Sequence, residues 1–174
     1  MCEVKYNIVI QYNRKGKVTF MSEKSNVDFS LAYRLLHPMH TVLVSCVGKD
    51  GKPNVLPLAW AMPTSLYPAL VAVSVAPARY SHGLIEETGE FVVNLPTIDI
   101  IKQTLSCGRT SGKNTDKFAK TGLTSLPARK VRSPIVKECV AHIECKLHSQ
   151  LKTEKPVCLP ETRLHAPEAP KQPP

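Results

Sequence analysis

The sequence predicts a mainly-β fold with short helices between the strands, an antiparallel barrel in preference to a doubly wound sheet. Three observations lead there. Short apolar or alternating runs recur along the chain, separated by turns rich in Gly, Pro and Asn. The helical stretches between them are brief. No GxGxxG follows a strand and no P-loop is present, so the glycine signatures of a nucleotide-binding parallel sheet are missing. With 174 residues, 43% of them hydrophobic, the chain is long enough for one domain with a substantial core.

The elements follow in order. Val4 to Tyr12 has strong β character, and Lys17 to Met21 follows after Asn13-Arg14-Lys15-Gly16, which predicts a hairpin. The polar stretch Ser25 to Ser30 precedes a short helix, Leu31 to Leu36. His37-Pro38 ends it, because proline disfavours helical geometry in the residue before it. Thr41 to Val47 is a continuous apolar strand, Gly48 to Pro53 is a turn by composition, and Asn54 to Leu58 returns antiparallel. Pro57 marks an edge or a bulge there. Pro63 and Pro68 bracket a turn before a strand at Leu70 to Val75. Tyr80 to Glu87 has helical spacing, and Gly89 marks its end. Phe91 to Leu95 is a buried strand. Thr97 to Leu105 is a second helix, with Ile98, Ile101 and Leu105 on one face and Thr97 as N-cap.

Cys107 to Asp116 is a polar, glycine-containing loop, and Lys117 to Lys120 is a helical turn stopped by Gly122. Leu126 to Pro134 is irregular and basic. Cys139 to Leu147 alternates cleanly, as a half-buried strand does. Beyond Lys152 the character changes: Glu154 to Pro174 holds six of the fifteen prolines and no amphipathic period. The expected organisation is a single domain over residues 1–152 and a disordered or extended tail over 153–174.

Bulk properties narrow the function classes. No run is long and apolar enough to span a bilayer, and Met1 to Tyr12 lacks the pattern of a secretion signal. The six cysteines are irregularly spaced without a CxxC pair, which favours reduced thiols in a cytoplasmic protein. The net charge of +9 suits an anionic ligand or partner. The basic residues are nevertheless spread along the chain, and no nucleic-acid-binding signature accompanies them. A solvated basic surface is therefore expected, with no membrane or nucleic-acid partner. His37 and His40 have no matching carboxylate or cysteine spacing, so no metal is expected.

Four places concentrate chemistry. Arg79-Tyr80-Ser81 stands at a predicted helix N-terminus, where free backbone N–H groups, a guanidinium and a hydroxyl favour an anion. The same residues also fit a helix cap beside a solvated arginine. Ala59 to Ser65 either sets backbone groups beside a flat heterocycle, with Trp60 or Met62 packing on it, or forms a wide turn around a core tryptophan. Ser111-Gly112-Lys113 reads as a lid over a pocket or as an ordinary surface loop. Cys107 reads as a redox-active or an inert thiol. No nucleophile elbow and no paired-carboxylate signature is present, and no catalytic residue is assigned.

Several separated motifs together resemble the flavin reductase-like family, and within it the flavoredoxin type. They are Asn54 to Ser65; Val73-Ser74-Val75 with Pro77 and Arg79-Tyr80-Ser81; Gly89 to Pro96; and Cys107-Gly108 with Ser111-Gly112 and Asp116-Lys117-Phe118. The likeness runs from about Arg34 to Leu147. It implies a split β-barrel that binds FMN non-covalently, as a homodimer with the flavin near the subunit interface. By that resemblance the backbone of Ala59, Trp60, Ala61 and Met62 contacts the isoalloxazine edge, and Arg79 and Ser81 hold the phosphate. Ser74, Asn94 and Ser65 line the same groove, and Ser111, Lys113 and Lys117 approach from the loop. The implied activity is electron transfer from NAD(P)H through FMN to a flavin, iron or a protein acceptor. Two alternatives stand beside it: a non-enzymatic FMN-binding module and a basic nucleic-acid-binding adaptor. The family usually continues past a strand like Cys139 to Leu147 into another strand pair with a Gly-Asp-His turn. Here the proline-rich tail follows, so the closing strands are expected to be missing or replaced, leaving an unpaired edge.

Overall fold

The structure is a computed structural model that describes residues 10–12, 18–20, 29–151 and 159–164, with side chains placed from 33 to 150. The chain divides into two compact units, residues 1–39 and 40–174. In the first, β1 (Ile10–Tyr12) pairs antiparallel with β2 (Val18–Phe20), and a 3-10 helix spans Phe29–Leu36. The hairpin matches the expected one over these residues. Its outer parts, Val4 to Val9 and Asn13 to Lys17, lie outside the described residues, as does the polar lead-in before Phe29.

The second unit is built on a seven-stranded antiparallel sheet. In chain order its strands are β3 (Val42–Val47), β4 (Pro53–Leu58), β5 (Ala61–Ser65), β6 (Leu70–Val73), β7 (Glu90–Leu95), β10 (Ala141–Leu151) and β11 (Leu159–Leu164). A small pair, β8 (Ser125–Leu126) and β9 (Ile135–Val136), lies apart from it. The sheet order is β4-β3-β7-β10-β11-β6-β5. Its two edges, β4 and β5, are consecutive in sequence and separated only by Ala59 and Trp60. A flat sheet of this width would hold its outer strands about 29 Å apart. The chain from Leu58 to Ala61 reaches at most about 11 Å. The sheet must therefore curl until its edges approach, as in a barrel with an open seam. No pairing between β4 and β5 closes that seam among the described residues.

Alternation along the strands builds two cores. Val42, Val44 and Cys46 of β3, Leu56 of β4, Val71 and Val73 of β6, Phe91 and Val93 of β7, and Cys145 of β10 face inward with Leu84 and Ile85. Leu43 and Val55, on the opposite face of β3 and β4, pack instead with Ile100, Cys107, Phe118, Leu123, Val136 and Cys139. These strands are buried on both faces, which is why Thr41 to Val47 reads as continuously apolar.

Three α-helices cover the sheet: α1 (Tyr80–Thr88), α2 (Ile101–Arg109) and α3 (Lys117–Thr121). Gly89 ends α1 with φ 67°, the left-handed C-cap that glycine takes without strain. Asp116 caps α3, its carboxylate accepting the Ala119 N–H at 3.0 Å. A 3-10 turn at Ile98–Ile100 leads into α2, with Thr97 at the N-cap position but without a capping hydrogen bond. Pro57 lies in edge strand β4, as its missing N–H requires.

Three expectations change. Ala59 to Ser65 is not one wide turn: residues 61–65 form β5, and the turn follows at 66–69. Pro63 hides that strand from a propensity reading, yet edge strands tolerate proline. The helix expected to end at Leu105 runs on to Arg109, so the polar loop shortens to 110–116. Finally, the edge of β10 is not left open. Leu159–Leu164, inside the stretch expected as a tail, pairs with β10 from Cys145↔Leu164 to Leu151↔Leu159. On its other side it pairs with β6, from Glu161↔Ala72 to Arg163↔Leu70. Long-range hydrogen bonding on two sides outweighs the poor local β propensity of Pro160 and Glu161. Residues 152–158 and 165–174 lie outside the described residues.

Ending the chain at Lys152 is expected to expose the facing edges of β10 and β6. The truncated protein should lose its cooperative thermal transition or aggregate on heating, read by circular dichroism and light scattering. A cooperative melt at the full-length temperature would show that β11 is dispensable.

Candidate functional site

Where β4 leaves its edge and α1 begins, a cavity of about 630 Å³ opens between the sheet and α2 with its following loop. Strand alternation places one wall. Asn54, Leu56 and Leu58 share a face of β4, and Ala59 and Trp60 continue it. The Ser74 N–H donates to the Trp60 carbonyl at 2.9 Å, which ties the start of β5 to the end of β6. Arg79, Tyr80 and Ser81 enter from the first turn of α1, and Cys107 to Gly112 close the far side.

The polar end of the cavity is cationic. Arg79 is the N-cap of α1 in extended geometry, and neither its side chain nor another caps the helix. The first-turn N–H groups of α1 thus point toward a site where the guanidinium also stands. Lys117 is 5% exposed, and its ammonium donates to the Val55 carbonyl at 2.8 Å. Burial pushes the Lys117 pKa below the usual lysine value. The thiols of Cys107 and Cys46 oppose that shift, and the Arg79 charge adds to it. Arg109 is the third cation on the wall, and among the described residues no carboxylate lines the cavity. Such a lining stabilises an anion and has nothing to repel it.

Beside these cations lies Asn54, 3% exposed. Its Nδ2 donates to the Ser81 hydroxyl at 2.7 Å, and its Oδ1 has no hydrogen-bond partner. A buried acceptor left unmet favours any ligand that brings a donor. The Ser81 oxygen accepts from Asn54, and its hydroxyl also bonds the Cys46 thiol. Gly112 packs directly on this amide: a Cβ there would stand 2.1 Å from Asn54 Oδ1. The loop can approach so closely only because it carries no side chain at that point.

The thiols are not poised for reaction. Cys46, Cys107, Cys139 and Cys145 are free and buried. Burial raises the pKa of Cys46 and Cys139 to about 11 and that of Cys145 to about 12. Burial also pushes Cys107 up, although it lines the cavity, so its thiol is the inert one of the two readings.

Of the residues singled out from the sequence, Ala59, Trp60, Ser74, Arg79, Ser81, Ser111 and Lys117 come together around this cavity. The others do not line it. Ala61 is buried in the inner core opposite Val73. Met62 is 53% exposed. Ser65 pairs with Leu70 at the distal end of β5, about 13 Å along the strand from Ala61. Lys113 is exposed, its N–H donating to the Ser111 hydroxyl at 3.3 Å.

Asn94 faces away. It sits on the side of β7 opposite Phe91 and Val93, fully buried. Its Nδ2 donates to the Leu43 carbonyl and the Ser45 hydroxyl, both at 2.9 Å. Its Oδ1 accepts the Val136 N–H at 2.9 Å and meets His142 Nδ1 at the same distance. That carboxamide oxygen can only accept, so His142 carries its proton on Nδ1. Period-two alternation from Phe91 would have placed Asn94 on this outer face. Reading the sequence assigned no site role to Asn54 or Thr110, which also line the cavity. An isolated buried asparagine at a strand start was the available signal for the first.

Two substitutions separate these roles. Asn94→Ala should cost about 2–4 kcal/mol in urea unfolding, because several buried backbone and side-chain partners lose their bonds together. Gly112→Ala should cost about 1–3 kcal/mol by overpacking and break the Asn54–Ser81 hydrogen bond in a crystal structure. Equal stability of Asn94→Ala and the parent would contradict the locking role.

The chain can now be set beside known proteins. Residues 33–159 match the family described as the flavin reductase like domain. An uncharacterized protein of Archaeoglobus fulgidus is 40% identical over 130 residues, 75% of this chain and 71% of its own length. A flavin reductase of Pseudomonas putida is 33% identical over 114 residues, 65% of this chain and 63% of its own. The structure superposes on flavoredoxin of Desulfovibrio vulgaris (Miyazaki F) with a TM-score of 0.70 and 30% identity, covering 78% of this chain and 72% of that one. On the extent of the family match and the level of identity to its relatives, this chain belongs to the flavin reductase-like family.

Proposed function

We propose that the cavity binds FMN non-covalently and that the protein is a flavin reductase or flavoredoxin-like oxidoreductase. The observation that carries this reading is the cavity's cationic lining, where Arg79 at the start of α1 stands near the buried Lys117 and no carboxylate lines the wall among the described residues. Its volume of about 630 Å³ lies in the range of cofactor pockets.

Arg79, the Ser81 hydroxyl and the first N–H groups of α1 would hold the phosphate, with Lys117 supplying charge from below. Asn54 Oδ1 would accept from a hydroxyl of the sugar chain, satisfying its open valence. Ser74 and Ser111 would bond polar groups along the same path. Ala59 and the half-buried Trp60 would bound the ring system at the seam of the sheet. The bound flavin would accept hydride from NAD(P)H and pass electrons to a flavin, iron or protein acceptor. The chain's part is then to position the cofactor, keep water from one face of it and leave the other open. The lack of an acid–base dyad fits that division of labour. A homodimer and a cytoplasmic setting belong to the same proposal. The non-enzymatic alternative drew its support from the expected loss of closing strands, and β11 supplies one strand at that edge.

The purified protein, mixed with FMN and washed by ultrafiltration, should retain flavin absorbance that NAD(P)H bleaches anaerobically. Arg79→Ala should weaken FMN binding roughly ten- to hundredfold, as loss of a charge-assisted hydrogen bond does. A colourless protein after washing would sink the proposal. Bound flavin that NAD(P)H fails to bleach would leave a binding module.

Affinity should also depend on pH in a stated direction. With its pKa below the ordinary lysine value of 10.5, Lys117 loses its charge as the solution is made alkaline, before an exposed lysine would. FMN should therefore bind more tightly below that lowered pKa and more weakly above it. Lys117→Met should flatten the alkaline fall, measured by fluorescence titration across the pH range.

A further inference from the structure

We propose that the cleft between α2 and the end of β4 is a second ligand site, for a small mono- or bicyclic carboxylate. It has a volume of about 510 Å³ and lies on the other side of Pro57 and Gly108 from the first cavity. The partition is thin. A Cβ on Gly108 would stand 3.0 Å from Pro57 Cγ, so only a glycine lets the helix pack this close. Arg109 lines both hollows, whereas Thr104 and the three large aliphatic residues line this one alone.

The walls are apolar. Ile98, Ile101 and Leu105 line the cleft and are 75%, 46% and 53% exposed, an unusual concentration of large aliphatic surface in water. A ring seated here would remove that surface from solvent. At the base is Thr104, 8% exposed, whose Oγ1 has no hydrogen-bond partner. A threonine inside a helix ordinarily bonds the carbonyl one turn back. Thr104 does not: the residue lines the cleft, and its buried hydroxyl is left unmatched. Arg109 lines the same cleft and, among the described residues, no acidic one does, so the oxygen that meets these donors is best an anionic one. Apolar walls for a ring, a buried hydroxyl donor and a guanidinium together define a cyclic carboxylate. A volume of about 510 Å³ leaves room for one or two rings. A phosphate would leave the aliphatic walls in water.

The full chain saturated with FMN, labelled at isoleucine and leucine methyls, should be titrated with 2-naphthoate. The resonances of Ile98, Ile101 and Leu105 should shift in a saturable manner. Thr104→Val keeps the shape and removes the donor, and should weaken binding about five- to tenfold. Thr104→Ser restores the hydroxyl and should bind like the parent, which guards against a folding defect. Ile101→Trp should fill the cleft and abolish binding while leaving FMN binding unchanged. Acetate, which lacks the ring, should produce no shift. The proposal is overturned if 2-naphthoate shifts none of these methyls, or if FMN displaces it. It is equally overturned if Thr104→Val binds like the parent. A sedimentation shift from dimer to monomer in Ile101→Trp, together with no probe binding to the parent, would assign the cleft to a second copy of the chain instead.

Discussion

The passage of two residues from one edge of the sheet to the other is the constraint on which the architecture rests. Ala59 and Trp60 link β4 to β5, the outermost strands of a seven-stranded sheet. So short a link forces the sheet to roll, and the roll encloses the inner core around Phe91. It also brings the end of β6, the start of α1 and the loop after α2 to the seam. The hydrogen bond from Ser74 N–H to the Trp60 carbonyl pins that junction at 2.9 Å. Ser74, Arg79 and Ser81 thus face Trp60 although up to 21 residues separate them in sequence.

Burial of both faces of β3 and β4 has a second consequence. One face feeds the rolled core and the other receives α2, α3 and β9. Polar residues on these strands have no solvent to turn to, so each must be satisfied internally or by a ligand. Asn94 is satisfied completely, through β3, β9 and His142, and it fastens the outer layer. Asn54 is satisfied only in part: the residue lines the cavity, and its oxygen is left without a partner beneath Gly112. The two asparagines have opposite functions because one lies within a complete network and the other at the end of a strand.

Electrostatics selects the class of ligand. Lys117 is buried at a cost, offset by the Val55 carbonyl, and its charge lies near that of Arg79. Two cations held together are destabilising by themselves, and they persist where an anion shares the site. That is consistent with membership in the flavin reductase-like family.

Much of this was legible in the sequence because it depends on local physics. Apolar runs and glycine punctuation located β3, β4, β7, β10 and all three helices, since strand period, helix period and C-capping act over a few residues. The order of separated motifs pointed to the family, and seven of the twelve residues it suggested share one cavity. Strand β5 was hidden by Pro63, and β11 by Pro160, because their stability comes from ladders with partners distant in the chain. Which face a residue presents was legible only in part: alternation from Phe91 places Asn94 on the outer face, but nothing local showed that Ala61 joins the inner core or that Asn54 lines the cavity. By itself the chain determined its strands, its caps and its supply of cations. Only the tertiary structure decided which of them meet, because a rolled sheet brings together strand ends that no sequence spacing relates.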